Sequence, residues 1–153
     1  MLGRLAFGPI LAMGVLLLGI FVCWLYAAQT VYEMTFGDTG PVPAHMFFQN
    51  VLTTQTGWML IAIGNVVGFL FAVFVLAISV VSFPMLLDRH VGLSSAIATS
   101  VRATAMNPFV IAVWGLIVAV ALFVGSIPAL LGLVIVMPVL GHATWHLYRK
   151  LVP

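Results

Sequence analysis

Residues 58–81 read WMLIAIGNVVGFLFAVFVLAISVV (Trp58 to Val81), 24 positions without a charged side chain. A helix rises about 1.5 Å per residue, so this run is roughly 36 Å long, enough for a hydrocarbon core of about 30 Å. Its apolar residues are continuous rather than alternating, which favours a spanning helix over a barrel strand. Three further stretches share these properties: about Leu5 to Ala28, Pro108 to Gly125 and Pro128 to Tyr148. The pattern predicts an all-α membrane protein, a single domain folded as a four-helix transmembrane bundle.

Composition points the same way. Of 153 residues, 64% are hydrophobic and 5% charged, with a mean hydropathy of +1.29. Soluble domains run near 45–50% apolar and about 25% charged. An enzyme domain folded in water, a disordered tail and a nucleic-acid-binding module are therefore excluded. The net charge of +2 lacks the basic stripe that nucleic acid needs. The one cysteine, Cys23, lies among apolar neighbours; it excludes an intrachain disulfide and reads as a packing residue. The first segment is longer than a signal-peptide core and no A-x-A site follows it, so it reads as a retained anchor.

Charge placement sets the orientation. Arg4 precedes segment one, Arg89 and Arg102 lie between segments two and three, and Arg149 and Lys150 follow segment four. The loop 29–57 carries only Glu33 and Asp38. Four spans put every basic residue on one face, and the positive-inside rule makes that face cytoplasmic, with both termini there. Trp24, Tyr26, Tyr32 and Trp58 are expected at the outer interface, and Trp145 and Tyr148 at the inner one.

Between these spans, Gly37, Gly40, Pro41 and Pro43 punctuate the outer loop, and the run 44–52 reads as a short helix on the outer leaflet. In the inner loop, Phe83-Pro84 is expected to end segment two and Asp88-Arg89-His90 to form a surface turn. Ser94 is the expected cap of an interfacial amphipathic cytoplasmic helix reaching Met106. Leu93, Ile97 and Val101 form its apolar stripe; Ser95, Thr99 and Arg102 form its polar one. Arg102 is expected to meet Asp88 or a lipid phosphate, and Arg89 and Arg102 read as headgroup anchors. Asn107-Pro108 starts segment three.

Within the spans, Gly64 and Gly68 form a G-x-x-x-G ridge that lets helices approach closely, within this chain or in a dimer, and Asn65 is expected to bond a neighbouring helix. Gly125-Ser126-Ile127-Pro128 predicts a tight hairpin, and Pro138 a kink that frees the carbonyl of Val134. His142 and His146, four apart, share a helical face and are the candidate ligands for haem or a metal. The commoner outcome for such a pair is interfacial histidines bonded to backbone, water or lipid. Neither G-x-S-x-G nor a P-loop occurs, and Glu33 and Asp38 lie across the membrane from Asp88, so no catalytic residue is assigned.

Three motifs add a resemblance: Ser82 to Arg89 (SFPMLLDR), Thr99 to Ala103 with Asn107-Pro108, and Met137 to Lys150 (MPVLGHATWHLYRK). Together they resemble a family of uncharacterised proteobacterial integral membrane proteins, some labelled cytochrome c oxidase subunit I. Segment one resembles that family in hydropathy alone. Family members continue further at the N-terminus, so the chain reads as the C-terminal part of that fold; an acidic residue is usual where His90 stands. The resemblance implies an inner-membrane location and no reaction. A catalytic oxidase subunit uses six histidines, and this chain has four. The preferred class is a non-catalytic subunit or scaffold working through helix–helix contact at the Gly64–Gly68 ridge, with lipid, other membrane subunits or a second copy; next come a cofactor-binding accessory of a respiratory complex using His142 and His146 and, last, a small-solute permease.

Overall fold

The computed structural model describes residues 3–37, 43–89, 91–128 and 130–152, with side chains from Gly8 onward. The expected turn across 38–42, His90 and the side chain of Arg4 lie outside them. The described residues form seven α-helices and no strand: α1 (Gly3–Phe36), α2 (Ala44–Thr53), α3 (Gln55–Ser79), α4 (Ser82–Asp88), α5 (Leu93–Met106), α6 (Pro108–Ser126) and α7 (Leu133–Leu151). By length and hydropathy three stretches are able to cross a membrane: Gly8–Phe36, Gln55–Asp88 and Pro108–Ser126. The fourth expected span falls mainly on α7, whose second half carries His142, His146, Arg149 and Lys150 and so stays below the hydropathy of the other three.

Contacts divide the chain into two compact units, Met1–Gly14 with Leu76–Pro153, and Val15–Val75. In the second unit α1 runs two turns past its expected end. It stops at Gly37, whose φ of +71° is the left-handed geometry that glycine adopts freely after a helix, and whose N–H reaches the Glu33 carbonyl at 2.9 Å. The expected short helix forms as α2. At the α2–α3 corner the Thr54 hydroxyl donates to the Asn50 carbonyl at 2.6 Å and accepts the Gly57 N–H at 3.0 Å, capping α3. A Cβ on buried Gly57 would run into the Val51 backbone, so the corner requires glycine.

The first unit has a core of Val80, Val81, Met85, Ala103, Ile111 and Tyr148. Here the sequence expectations need correction. Segment two does not end at Phe83-Pro84: α3 stops at Ser79 and Pro84 sits in the first turn of α4, where its missing N–H leaves no hydrogen bond unmade. Gly92, not Ser94, is the N-cap residue of α5, with no side-chain cap bond. The buried face of α5 is Ala96, Ser100 and Ala103, whereas Val101 is exposed. The α6–α7 connection is longer than the expected hairpin: α6 ends at Ser126, α7 starts at Leu133, and Leu130 between them has φ +68°. Pro138 does lie inside α7.

Exposure of the apolar side chains is the feature that fits lipid. Only 6% of the most apolar window of α1 and 11% of that of α6 is buried, and Phe69, Phe123 and Ile135 stand 67–72% exposed. In water, faces of this size would aggregate; against acyl chains they are solvated. The hydroxyls of Thr30, Thr53, Thr99, Ser126 and Thr144 each bond a carbonyl four residues back in their own helix, which lowers the cost of an apolar surrounding.

Candidate functional site

Polar chemistry in the first unit gathers at two places. The first is the break between α3 and α4. An unbroken helix would join the Val81 N–H to the Ala77 carbonyl. Instead the Ser100 hydroxyl stands between them, accepting from Val81 N–H at 3.2 Å and donating to the Ala77 carbonyl at 2.7 Å. Ser100 is fully buried, and beside it the buried Ser82 hydroxyl donates to the Ile78 carbonyl at 2.5 Å. A side chain inserted into the helical ladder is a recognised cause of a kink. From Gln55 to Asp88 the stretch counts 34 residues, about 51 Å if it were one straight helix, so a break near the end of the span is what a 30 Å core requires. Sequence alone does not single out Ser100, which shares the buried face of α5 with Ala96 and Ala103.

The second place is the end of α4. Tyr148, 1% exposed, donates its phenol O–H to Asp88 Oδ2 at 3.0 Å, linking α7 to α4 across 60 positions of sequence. Arg89 stands beside the same phenol and raises the local positive charge. Asp88 thus meets Tyr148 rather than the expected Arg102, which is exposed. Tyr148, expected as an interfacial anchor, is the largest fully buried side chain. Trp145 packs against it at a ring-centroid distance of 5.7 Å.

In the second unit the Gly64–Gly68 ridge lies along a groove of about 550 Å³ between α1 and α3, lined by Trp24, Ala28, Val31, Leu60 and Ala72 among others. A Cβ on Gly64 meets nothing within 4 Å, and one on Gly68 meets only the Trp24 indole nitrogen at 3.9 Å. The ridge is therefore not filled by helix packing within this unit. Asn65 bonds its own helix, donating Nδ2 to the Ile61 carbonyl at 2.7 Å, where the sequence reading expected a neighbouring helix.

His142 and His146 are both exposed on α7. Nδ1 of His142 lies 3.1 Å from the Pro138 carbonyl, which orients the ring and turns Nε2 outward from that contact. Among the described residues no group of three or more His, Cys, Asp or Glu side chains comes together. The pair alone provides two nitrogen ligands at most.

Long apolar helices with lipid-compatible surfaces define a polytopic α-helical membrane protein. Residues 3–88, more than half of the chain, match a family described as "Predicted integral membrane protein (DUF2189)", and the chain belongs to that family. The match includes α1, where the sequence resembled such proteins in hydropathy alone, and ends at Asp88, so two of the three motifs and His142 and His146 lie beyond it. It supports neither the oxidase label nor a C-terminal placement. No curated protein and no solved structure matches the chain.

Proposed function

We propose that the protein is a non-catalytic subunit or scaffold of the bacterial inner membrane, with four spans and both termini cytoplasmic, and that it works by helix–helix contact at the Gly64–Gly68 face. The open ridge carries this reading: Gly64 has no neighbour within 4 Å of a Cβ, on a helix with the composition of a membrane span. Association in lipid depends on close backbone approach rather than on hydrophobic burial, and small residues provide it. The fourth span is supported by the Tyr148–Asp88 bond, which returns the end of α7 to the level of Asp88.

The test uses Gly64→Leu, because Gly68→Leu would also strike Trp24. Gently solubilised wild-type protein is expected to migrate with a second copy or a partner subunit. The variant is expected to lose that species while keeping its helicity. An unchanged assembly would defeat the proposal. A second reading, a cofactor-binding accessory of a respiratory complex, is favoured by the orienting contact of His142 Nδ1. An absorption spectrum of the same preparation separates the two: a Soret band lost in His142→Ala supports the accessory.

A further inference from the structure

We infer that the basic end of the unit built from α4, α5 and α7, presented by Arg102, Arg149 and Lys150, is a docking surface for anionic phospholipid headgroups. The first argument is charge. Asp88, the one described acid of this unit, is engaged by Tyr148 at 3.0 Å, with Arg89 alongside. Arg102, Arg149 and Lys150 are exposed, and among the described residues they have no ion-pair or hydrogen-bond partner. Among the described residues, then, these three cations have no counter-charge.

Their mounting is the second argument. Arg149 and Lys150 directly follow Tyr148, and Arg102 directly precedes Ala103; Tyr148 and Ala103 belong to one buried cluster. The Tyr148–Asp88 bond and the Ser100 bridge tie α7 and α5 to the α3–α4 break, so the three cations stand on a fixed base. A fixed backbone base removes one ordering cost of binding.

What surrounds the cations decides the occupant. Val101 (44% exposed) and Met106 (68%) stand next to and one turn after Arg102 on α5, and Leu87 (69%) stands beside Asp88 on α4. An acidic peptide would neutralise the charges and leave these side chains in water. A phospholipid satisfies both: phosphate meets the cations, and the acyl chains cover the apolar neighbours, with the long basic side chains reaching outward to the headgroups. Each cation near an anionic leaflet strengthens association by roughly fivefold, an effect that salt screens over about 8–10 Å. This inference rests on membrane embedding and on the shared basic boundary, and not on the Gly64 ridge, so loss of the ridge contact leaves it standing.

The experiment reports from Trp145, which packs against Tyr148 at this end. The full chain with Trp24, Trp58 and Trp114 changed to Phe is reconstituted in phosphatidylcholine vesicles doped with brominated phosphatidylglycerol or, separately, brominated phosphatidylcholine. Trp145 should be quenched severalfold more effectively by the anionic lipid. That preference should fall as sodium chloride is raised, and should vanish in R102A/R149A/K150A. Equal quenching by the two lipids overturns the inference, as does a preference that persists in the triple variant. Wild-type protein offers a measurement independent of these substitutions. After detergent washing it should retain phosphatidylglycerol over phosphatidylcholine at low salt and release it at high salt; retention without lipid preference, or displacement by polyglutamate, counts against a lipid surface.

Discussion

Ser100 shows how much one hydroxyl decides in so apolar a chain. It satisfies Val81 N–H and Ala77 C=O, two backbone groups that a broken helix would otherwise leave unpaired away from water. An unmet buried polar group costs about 1–3 kcal/mol. Ser100→Ala removes both bonds and leaves two outcomes for the backbone: the groups stay unpaired, or α3 and α4 rejoin across 77–81. The first lowers stability by about 1–3 kcal/mol. The second displaces α4 and with it the Asp88–Tyr148 contact. Both are expected to speed hydrogen exchange at the Val81 amide or at the Tyr148-bearing turn relative to wild type, and thermal unfolding in detergent measures the loss. Exchange and melting identical to wild type would mean that the bridge does not hold the break. In the sequence Ser100 was indistinguishable from Ser95 or Thr99, because hydroxyls on membrane helices mostly bond their own carbonyls, as Thr99 does to Ser95 at 2.8 Å. What singles it out is the neighbour it touches, 19 and 23 positions away.

At the scale of helices, long-range pattern was legible and ends were not. The uncharged runs announced α1, α3 and α6, and Asn107-Pro108 announced the start of α6, because apolar length and proline chemistry are local properties. The end of the uncharged run at Val81 lies two residues from the end of α3, but the cause of the break was hidden: Pro84 drew the stop to itself, since a proline in the first turn of a helix looks in sequence like one that terminates it. The α6–α7 turn was shorter in expectation than in fact for a related reason. Its form is set by the approach of Gly132 to Gly125, where a Cβ on Gly132 would lie 2.7 Å from the Gly125 carbonyl oxygen and 2.8 Å from its Cα. Backbone atoms cannot yield as a flexible side chain can. Gly132→Ala is therefore expected to destabilise the hairpin by about 1–3 kcal/mol, as overpacking does, whereas Gly64→Ala, with open space around it, leaves stability nearly unchanged. Melting curves of the two variants in the same detergent make the comparison; equal shifts would show that the close approach at Gly125 is not a constraint.

For the whole molecule the question is on which side α7 ends. Hydropathy alone marks three spans, since α7 carries two histidines and two cations in its second half. Packing argues for a fourth. Ile111, near the start of α6, and Tyr148, near the end of α7, belong to one core cluster, while Gly125 and Val136 meet at the opposite end of the pair. The 19 residues of α6 extend roughly 28 Å. If α6 crosses the membrane, α7 has to return for Tyr148 to reach Asp88, and Arg149 and Lys150 then rejoin Arg89 and Arg102 at one boundary. Every basic residue on one side is also what the positive-inside rule favours. Single cysteines placed at Thr53, Ser95 and Lys150 in a Cys23→Ala background distinguish the two topologies. Four spans predict that a membrane-impermeant maleimide reaches Ser95→Cys and Lys150→Cys from the same side and Thr53→Cys from the other. Labelling of Lys150→Cys together with Thr53→Cys would mean three spans, and the returning helix, the shared basic boundary and the cytoplasmic C-terminus would fall together.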